Sequence, residues 1–168
     1  MKKKIKLGVN IDHIATLRNA RNENFPDIKT VAEILHKTKV DSITVHLRED
    51  RRHIRDEDVE VLSKLNLLPL NLEMAATNEM KKICLKTSPY ACCIVPERRE
   101  ELTTEGGLDV KNQMIYLRNY LPELINSGVK VSLFVDPDIS QIQASKDLGA
   151  NSVELHTGKY ANLFRENN

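Results

Sequence analysis

The side chains able to do acid–base or phosphate chemistry fall in this sequence where short apolar runs end. Asn10-Ile-Asp-His13 closes the first run, and Arg18 and Arg21 follow on a short helical register. A guanidinium fork matches phosphate oxygens, which makes Arg21 a candidate phosphate ligand, while Arg18 reads as an ordinary solvated charge. His46-Leu-Arg-Glu-Asp-Arg-Arg-His53 is denser, with a histidine at a run's end, five charges, then a second histidine before a helix start. A neutral imidazole is a suitable acid or base near pH 7. Glu73 ends an otherwise apolar run, where burial would raise its pKa and suit it to proton transfer. Thr103-Thr-Glu-Gly-Gly107 has the hydroxyls and backbone N–H groups to close over a phosphate, although a lone Gly-Gly turn is a weak signal. His36 reads as a surface residue, and His156 stays open between packing and catalysis.

These groups need a scaffold, and one repeating alternation supplies it: a β-rich run, a polar loop, an amphipathic stretch, then Gly or Asn. Six runs are predicted as strands, over 5–12, 42–47, 68–73, 90–96, 130–136 and 152–157. Helices are predicted behind Asp27, Asp56 and Thr77 or Asn78, each a good N-cap type. Leu117, Leu121, Leu124 and Ile125 form a fourth stripe ending near Gly128, with Pro122 expected to kink it. Ile139, Ile142 and Leu148 form a fifth ending at Gly149. Strands separated by helices pair in parallel through right-handed crossovers, which leaves an open doubly wound sheet or a closed barrel.

The strands also alternate internally. Leu7, Val9 and Ile11 interleave with Gly8, Asn10 and Asp12; Ile43, Val45 and Leu47 with Thr44, His46 and Arg48. Leu68, Leu70 and Leu72 interleave with Asn71 and Glu73, and Val153 and Leu155 with Ser152, Glu154 and His156. A period of two puts each set on one side of its strand. If the apolar sides meet the helices, the polar sides converge on a shared interior, which a barrel lumen explains best. Solvated faces of an antiparallel sheet would alternate too, but the intervening helices forbid hairpins. A buried polar network that only holds the fold together suits Asn71 and Asp136. For the whole set, burying so many charges without a ligand carries a large desolvation cost.

Composition narrows the class. The 168 residues, 40% hydrophobic, suffice for a single domain, 1–168, burying about 70% of the unfolded chain's surface. Basic and acidic side chains, 25 and 24, are spread evenly to a net charge of +1, which argues against a nucleic-acid partner. No stretch approaches the ~20 apolar residues of a membrane span, and the opening Met-Lys-Lys-Lys leads into a run broken by Lys6, Gly8, Asn10 and Asp12. Cys84, Cys92 and Cys93 lie in apolar periodic segments without zinc-ligand spacing and read as reduced core thiols of a cytoplasmic protein.

Seven ordered strings resemble pyridoxine 5′-phosphate synthase closely: Gly8-Val-Asn-Ile-Asp-His-Ile-Ala-Thr-Leu-Arg-Asn-Ala-Arg21, Ile43-Thr-Val-His-Leu-Arg-Glu-Asp-Arg-Arg-His53, Asn71-Leu-Glu-Met74, Val95-Pro-Glu97, Thr103-Thr-Glu-Gly-Gly-Leu-Asp109, Val131-Ser-Leu-Phe134 and Glu154-Leu-His-Thr-Gly158. The resemblance implies an α/β fold of the (β/α)8 TIM-barrel family, of which six βα units are present here. It implies condensation of 1-deoxy-D-xylulose 5-phosphate with 3-amino-2-oxopropyl phosphate, closing a pyridine ring and releasing phosphate and water, with neither metal nor organic cofactor. By position, Asn10 and Arg21 would contact the amino-ketone phosphate, and Asp12, His13, Arg48, His53 and Thr103 the deoxyxylulose phosphate. His46 and Glu73 would be general bases, and Glu154 would stabilise charge developed during ring closure. The partners implied are small phosphorylated substrates and, at full length, further copies of the chain in a homo-oligomer.

A complete barrel of this kind takes about 250 residues. Family members continue into seventh and eighth strands that carry a general-acid His and further phosphate contacts. The expectation for these residues alone is an open sheet prone to aggregation or partial melting. Two other readings stand beside the synthase. One is a non-catalytic remnant or scaffold that binds phosphorylated ligands. The other is a metal-dependent barrel using His13, His46, Glu73 and His156, which lacks HxH or HExxH spacing.

Overall fold

The computed structural model describes residues 5–97 and 106–166. The chain runs β1 (Gly8–Asn10), α1 (Asp12–Ala20), α2 (Ile28–Thr38), β2 (Ser42–His46), α3 (Asp56–Leu65), β3 (Leu70–Met74), α4 (Asn78–Thr87), β4 (Ala91–Ile94), α5 (Met114–Asn126), β5 (Lys130–Val135), α6 (Ile139–Asp147), β6 (Ser152–Leu155) and α7 (Gly158–Glu166). The six strands form one parallel sheet in sequence order, β1 to β6, curled as a partial barrel. Each predicted strand exists, shortened at one or both ends, with β3 also running on to Met74; the residues lost at the carboxyl ends belong to the loops that carry the ionisable groups.

Local chemistry accounts for the helix starts. The Asp27 carboxylate accepts from the Lys29 and Thr30 N–H groups, and the Thr77 hydroxyl from Met80 N–H. At α3 the expectation needs correction: Arg55, not Asp56, is the N-cap, and the Asp58 carboxylate reaches back to accept its N–H at 2.9 Å. Helix α5 continues through Pro122 and is followed by Gly128 at φ +91°, a conformation that only glycine adopts without strain.

The helices cover the apolar face of the sheet. Ile43, Val45, Leu72, Ile94, Val131 and Leu133 meet Ala32, Val59, Leu62, Met80, Cys84, Leu117, Leu121 and Leu124 in one continuous core. Each fully buried aliphatic side chain there stabilises by about 1.5–3 kcal/mol. All three cysteines are free and buried. On α6 the predicted stripe holds only at Leu148, which packs against the core; Ile139 and Ile142 are exposed, and the helix buries Ala144 and Ser145 instead. Ser145 tolerates burial because its hydroxyl donates to the Gln141 carbonyl at 2.8 Å. Helix α7, absent from the sequence expectation, buries no residue. Among the described residues no helix is long and apolar enough to cross a membrane.

Candidate active site

The parallel register aligns His46 with Glu73, Glu73 with Cys93 and Cys93 with Ser132, so these side chains share the face turned from the helices. Asn10, at the end of β1, accepts the Asp12 N–H at 2.9 Å and donates to its Oδ2 at 2.9 Å. The other Asp12 oxygen accepts the His46 N–H at 2.8 Å. Asp12 therefore ties the end of β1 to the end of β2 and fixes the backbone that presents His46.

Glu73 lies beside this tie. Its Oε2 is 4.0 Å from His46 Nδ1, and its side chain is 17% exposed. Burial, then the nearby Glu154 carboxylate, and to a smaller degree Asp12, push its pKa up to about 7 against the pull of His46. A carboxyl poised there gives and takes protons with equal ease near neutrality. Burial and the same Glu154 charge push the Cys93 thiol up, so it stays protonated and unreactive at this face.

The segment after β2 folds back over the strand ends. Arg48 is buried, its Nε 3.6 Å from Asp50 and 3.7 Å from Glu97. His53 Nδ1 pairs with the Thr16 hydroxyl at 2.7 Å, and its ring meets the edge of His13 at 5.9 Å between centroids. Burial lowers the His53 pKa and keeps the ring neutral at pH 7. Asn19 clamps this turn by donating to the Arg52 and His53 carbonyls at 3.1 and 2.7 Å.

The two early arginines are reversed in part. Arg18, expected in solvent, is buried and forms a forked pair with Asp58 at 2.6 and 2.9 Å. Arg21 is exposed and pairs with Glu23 at 3.1 Å. Thr103 lies outside the described residues. Gly107, from the same string, sits against the end of β5, where an added Cβ would come within 2.1 Å of the Asp136 nitrogen. Its N–H donates to the Asp136 carboxylate at 3.1 Å. His156 pairs with that same carboxylate at 3.1 Å and packs on Phe134. It faces a cleft of about 540 Å³ at the β5–β6 end, which His46 and Glu73 do not line.

Glu97 had no role in the sequence reading, yet it closes the group. Its side chain is 2% exposed and lies 3.5 Å from His46 Nε2. Its only sequence signal was its place in the Val95-Pro-Glu97 string. Among the described residues no three His, Cys, Asp or Glu side chains converge as metal ligands do, so the four side chains of the zinc reading are not one ligand set.

Residues 7–168 match the family described as pyridoxal phosphate biosynthesis protein PdxJ. The chain belongs to that family. It is 56% identical over 163 residues to the pyridoxine 5′-phosphate synthase of Ehrlichia ruminantium, an alignment covering 97% of this chain and 68% of that protein. The enzymes of the same name from Thioalkalivibrio sulfidiphilus and Zymomonas mobilis are 55% and 54% identical, with 94% and 99% of this chain covered and 64% and 65% of theirs. The chain thus spans about two thirds of the length of these PdxJ relatives. Among solved structures, the flavin-binding domain of baker's yeast flavocytochrome b2 superposes with a TM-score of 0.60 at 14% identity, over 92% of this chain and 43% of that one. A D-allulose 3-epimerase from Methylomonas sp. gives 0.53 at 10% identity, over 92% and 63%. At such identities the likeness concerns the fold alone.

Proposed function

We propose that this chain carries the proton-transfer centre and the deoxyxylulose-phosphate site of a pyridoxine 5′-phosphate synthase, in which 1-deoxy-D-xylulose 5-phosphate and 3-amino-2-oxopropyl phosphate condense to the ring product, phosphate and water. The observation that carries the reading is the pair Glu73 and His46: a buried carboxyl with its pKa near 7 faces an imidazole nitrogen 4.0 Å away. Ring closure with loss of water needs protons taken from carbon and nitrogen and returned to departing oxygens, and two such groups on one ligand suit it. Glu154 stabilises charge that develops between them. Arg48 supplies a fixed cation for the phosphate of the deoxyxylulose substrate, with Asp12, His13, His53 and Thr103 around it, while Asn10 and Arg21 hold the amino-ketone phosphate. No step of this chemistry requires a metal or organic cofactor. The unbridged cysteines support a cytoplasmic setting, and homo-oligomeric assembly accompanies the reading.

Isothermal titration with each substrate, beside a chromatographic assay for pyridoxine 5′-phosphate, tests the proposal. Binding of the deoxyxylulose phosphate is expected, with product formation that falls about 10²- to 10⁴-fold in Glu73→Gln, the usual scale for losing a general base. Binding without product moves the reading to a phosphate-ligand scaffold of the same family. Absence of binding to either substrate overturns both.

A further inference from the structure

His46 lies between two carboxylates of opposite character. On the Nδ1 side stands Glu73; on the Nε2 side stands Glu97, contributed by the loop after β4. The Val95 N–H donates to the Met74 carbonyl at 3.0 Å, which prolongs the β3–β4 pairing beyond the strand and carries Glu97 over the β2 end. There Glu97 Oε1 accepts the Glu49 N–H at 2.8 Å. Glu97 Oε2 and His46 Nε2 are both buried, and among the described residues neither has a hydrogen-bond partner within good geometry. They face each other at 3.5 Å, the outer limit of such a bond.

We infer that Glu97 is a positioning residue for His46, holding the imidazole in the tautomer that carries its hydrogen on Nε2 and so leaving the Nδ1 lone pair turned toward Glu73 as the proton-accepting atom. The opposite tautomer would set a ring lone pair against a carboxylate oxygen in a dry site, leaving both without a donor. Other groups facing the ring agree with this assignment. Asp12 accepts the His46 backbone N–H, and Arg48 stands on the Glu97 side of the ring, where it favours an ionised Glu97. Burial alone would raise the Glu97 pKa, but the His46 ring, the Glu49 N–H and Arg48 outweigh it and hold the carboxyl below its usual range. Glu97 is thus a permanent anion, while Glu73 exchanges its proton near neutrality. A carboxylate that orients an imidazole and stabilises its protonated form without itself taking the proton is the arrangement that makes such a ring an effective base.

This inference rests on the reading of His46 as a base, but its decisive measurement needs no substrate. In the full chain with ¹⁵N-labelled histidine, long-range ¹H–¹⁵N correlation reads the tautomer of each ring, and the signal lost in His46→Asn identifies residue 46. The wild-type ring is expected as the Nε2–H tautomer; a wild-type Nδ1–H tautomer overturns the inference whatever the variants do. Glu97→Gln keeps the size and the acceptor for Glu49 but removes the charge and presents an amide N–H to Nε2. It is expected to move the ring to the Nδ1–H tautomer, because Nε2 then accepts that amide N–H. Glu97→Asp restores the charge and is expected to restore the wild-type tautomer. An unchanged tautomer in Glu97→Gln sinks the proposal. Where product is formed, Glu97→Gln lowers kcat at least tenfold with KM unchanged. A wild-type chain without product, showing the Nε2–H ring, counts against the synthase reading and leaves the positioning role standing.

Discussion

A carboxyl held at the end of β3, 17% exposed and facing Glu154, binds its proton more tightly in the folded chain than in the unfolded one. Its pKa moves from the ordinary 4.5 to about 7, so between those values the native state holds a proton that the unfolded state has lost. Stability contributed by the protonated form is complete below about pH 4.5 and is lost as pH rises through 7. At pH 8 the ionised side chain costs the fold on the order of 3 kcal/mol by this shift. Glu73→Gln, neutral and nearly the same shape, should therefore be more stable than the wild type at pH 8 by an amount of that order. The advantage should shrink through neutrality and vanish below about pH 4.5. Urea unfolding of both proteins across that pH range checks it, and parallel curves would show that Glu73 is not held near neutrality. The same substitution is expected to abolish most turnover, as it must if the strained protonation is the working part of the site.

Between elements, the buried Arg18–Asp58 pair joins α1 to α3 and thereby sets the height of the 48–55 segment above β2. Asp58 accepts two N–H groups from Arg18 and one from Arg55, so removing it strands a guanidinium in the interior and uncaps a helix. Asp58→Ala should lower the free energy of unfolding by about 3–5 kcal/mol. Replacing the pair together, Arg18→Met with Asp58→Leu, should recover most of the loss, because no charge is then left buried without a partner. Denaturant midpoints decide it: a double variant as unstable as Asp58→Ala would mean that packing, not charge, dominates. That pair also marks the limit of what sequence could show. The period-two alternation in β1, β2, β3 and β6 and the caps at Asp27 and Thr77 are local signals, and they placed Asn10, His46 and Glu73 at strand ends. Arg18 and Glu97 are defined by partners 40 and 51 positions away, and no local pattern separates such residues from solvated charges. Ile139 and Ile142 misled for the opposite reason, since an apolar stripe records where a helix could pack and not where the sheet lies.

At the scale of the whole sheet, β1 pairs only with β2 and β6 only with β5 among the described residues. Both outer strands present unpaired N–H and C=O groups, and apolar side chains flank them: Leu7 is 59% exposed beside β1, and Leu155 is 45% exposed in β6. The polar face that gathers His46, Glu73 and Glu154 lies between these two edges, so whatever associates there also closes around the candidate site. An edge of this kind is a template for strand pairing, and apolar residues along it favour association over solvation. The chain should therefore sediment above its 19.2 kDa monomer mass, with a weight-average mass that rises with concentration. Leu155→Lys, alone and with Leu7→Lys, should return the mass toward the monomer, since a charge on an edge strand opposes pairing at little cost to the core behind it. Sedimentation equilibrium over a wide concentration range measures this. A wild-type chain that stays at the monomer mass throughout would show that its edges are blunted by some other contact, and would remove edge pairing as the route to assembly.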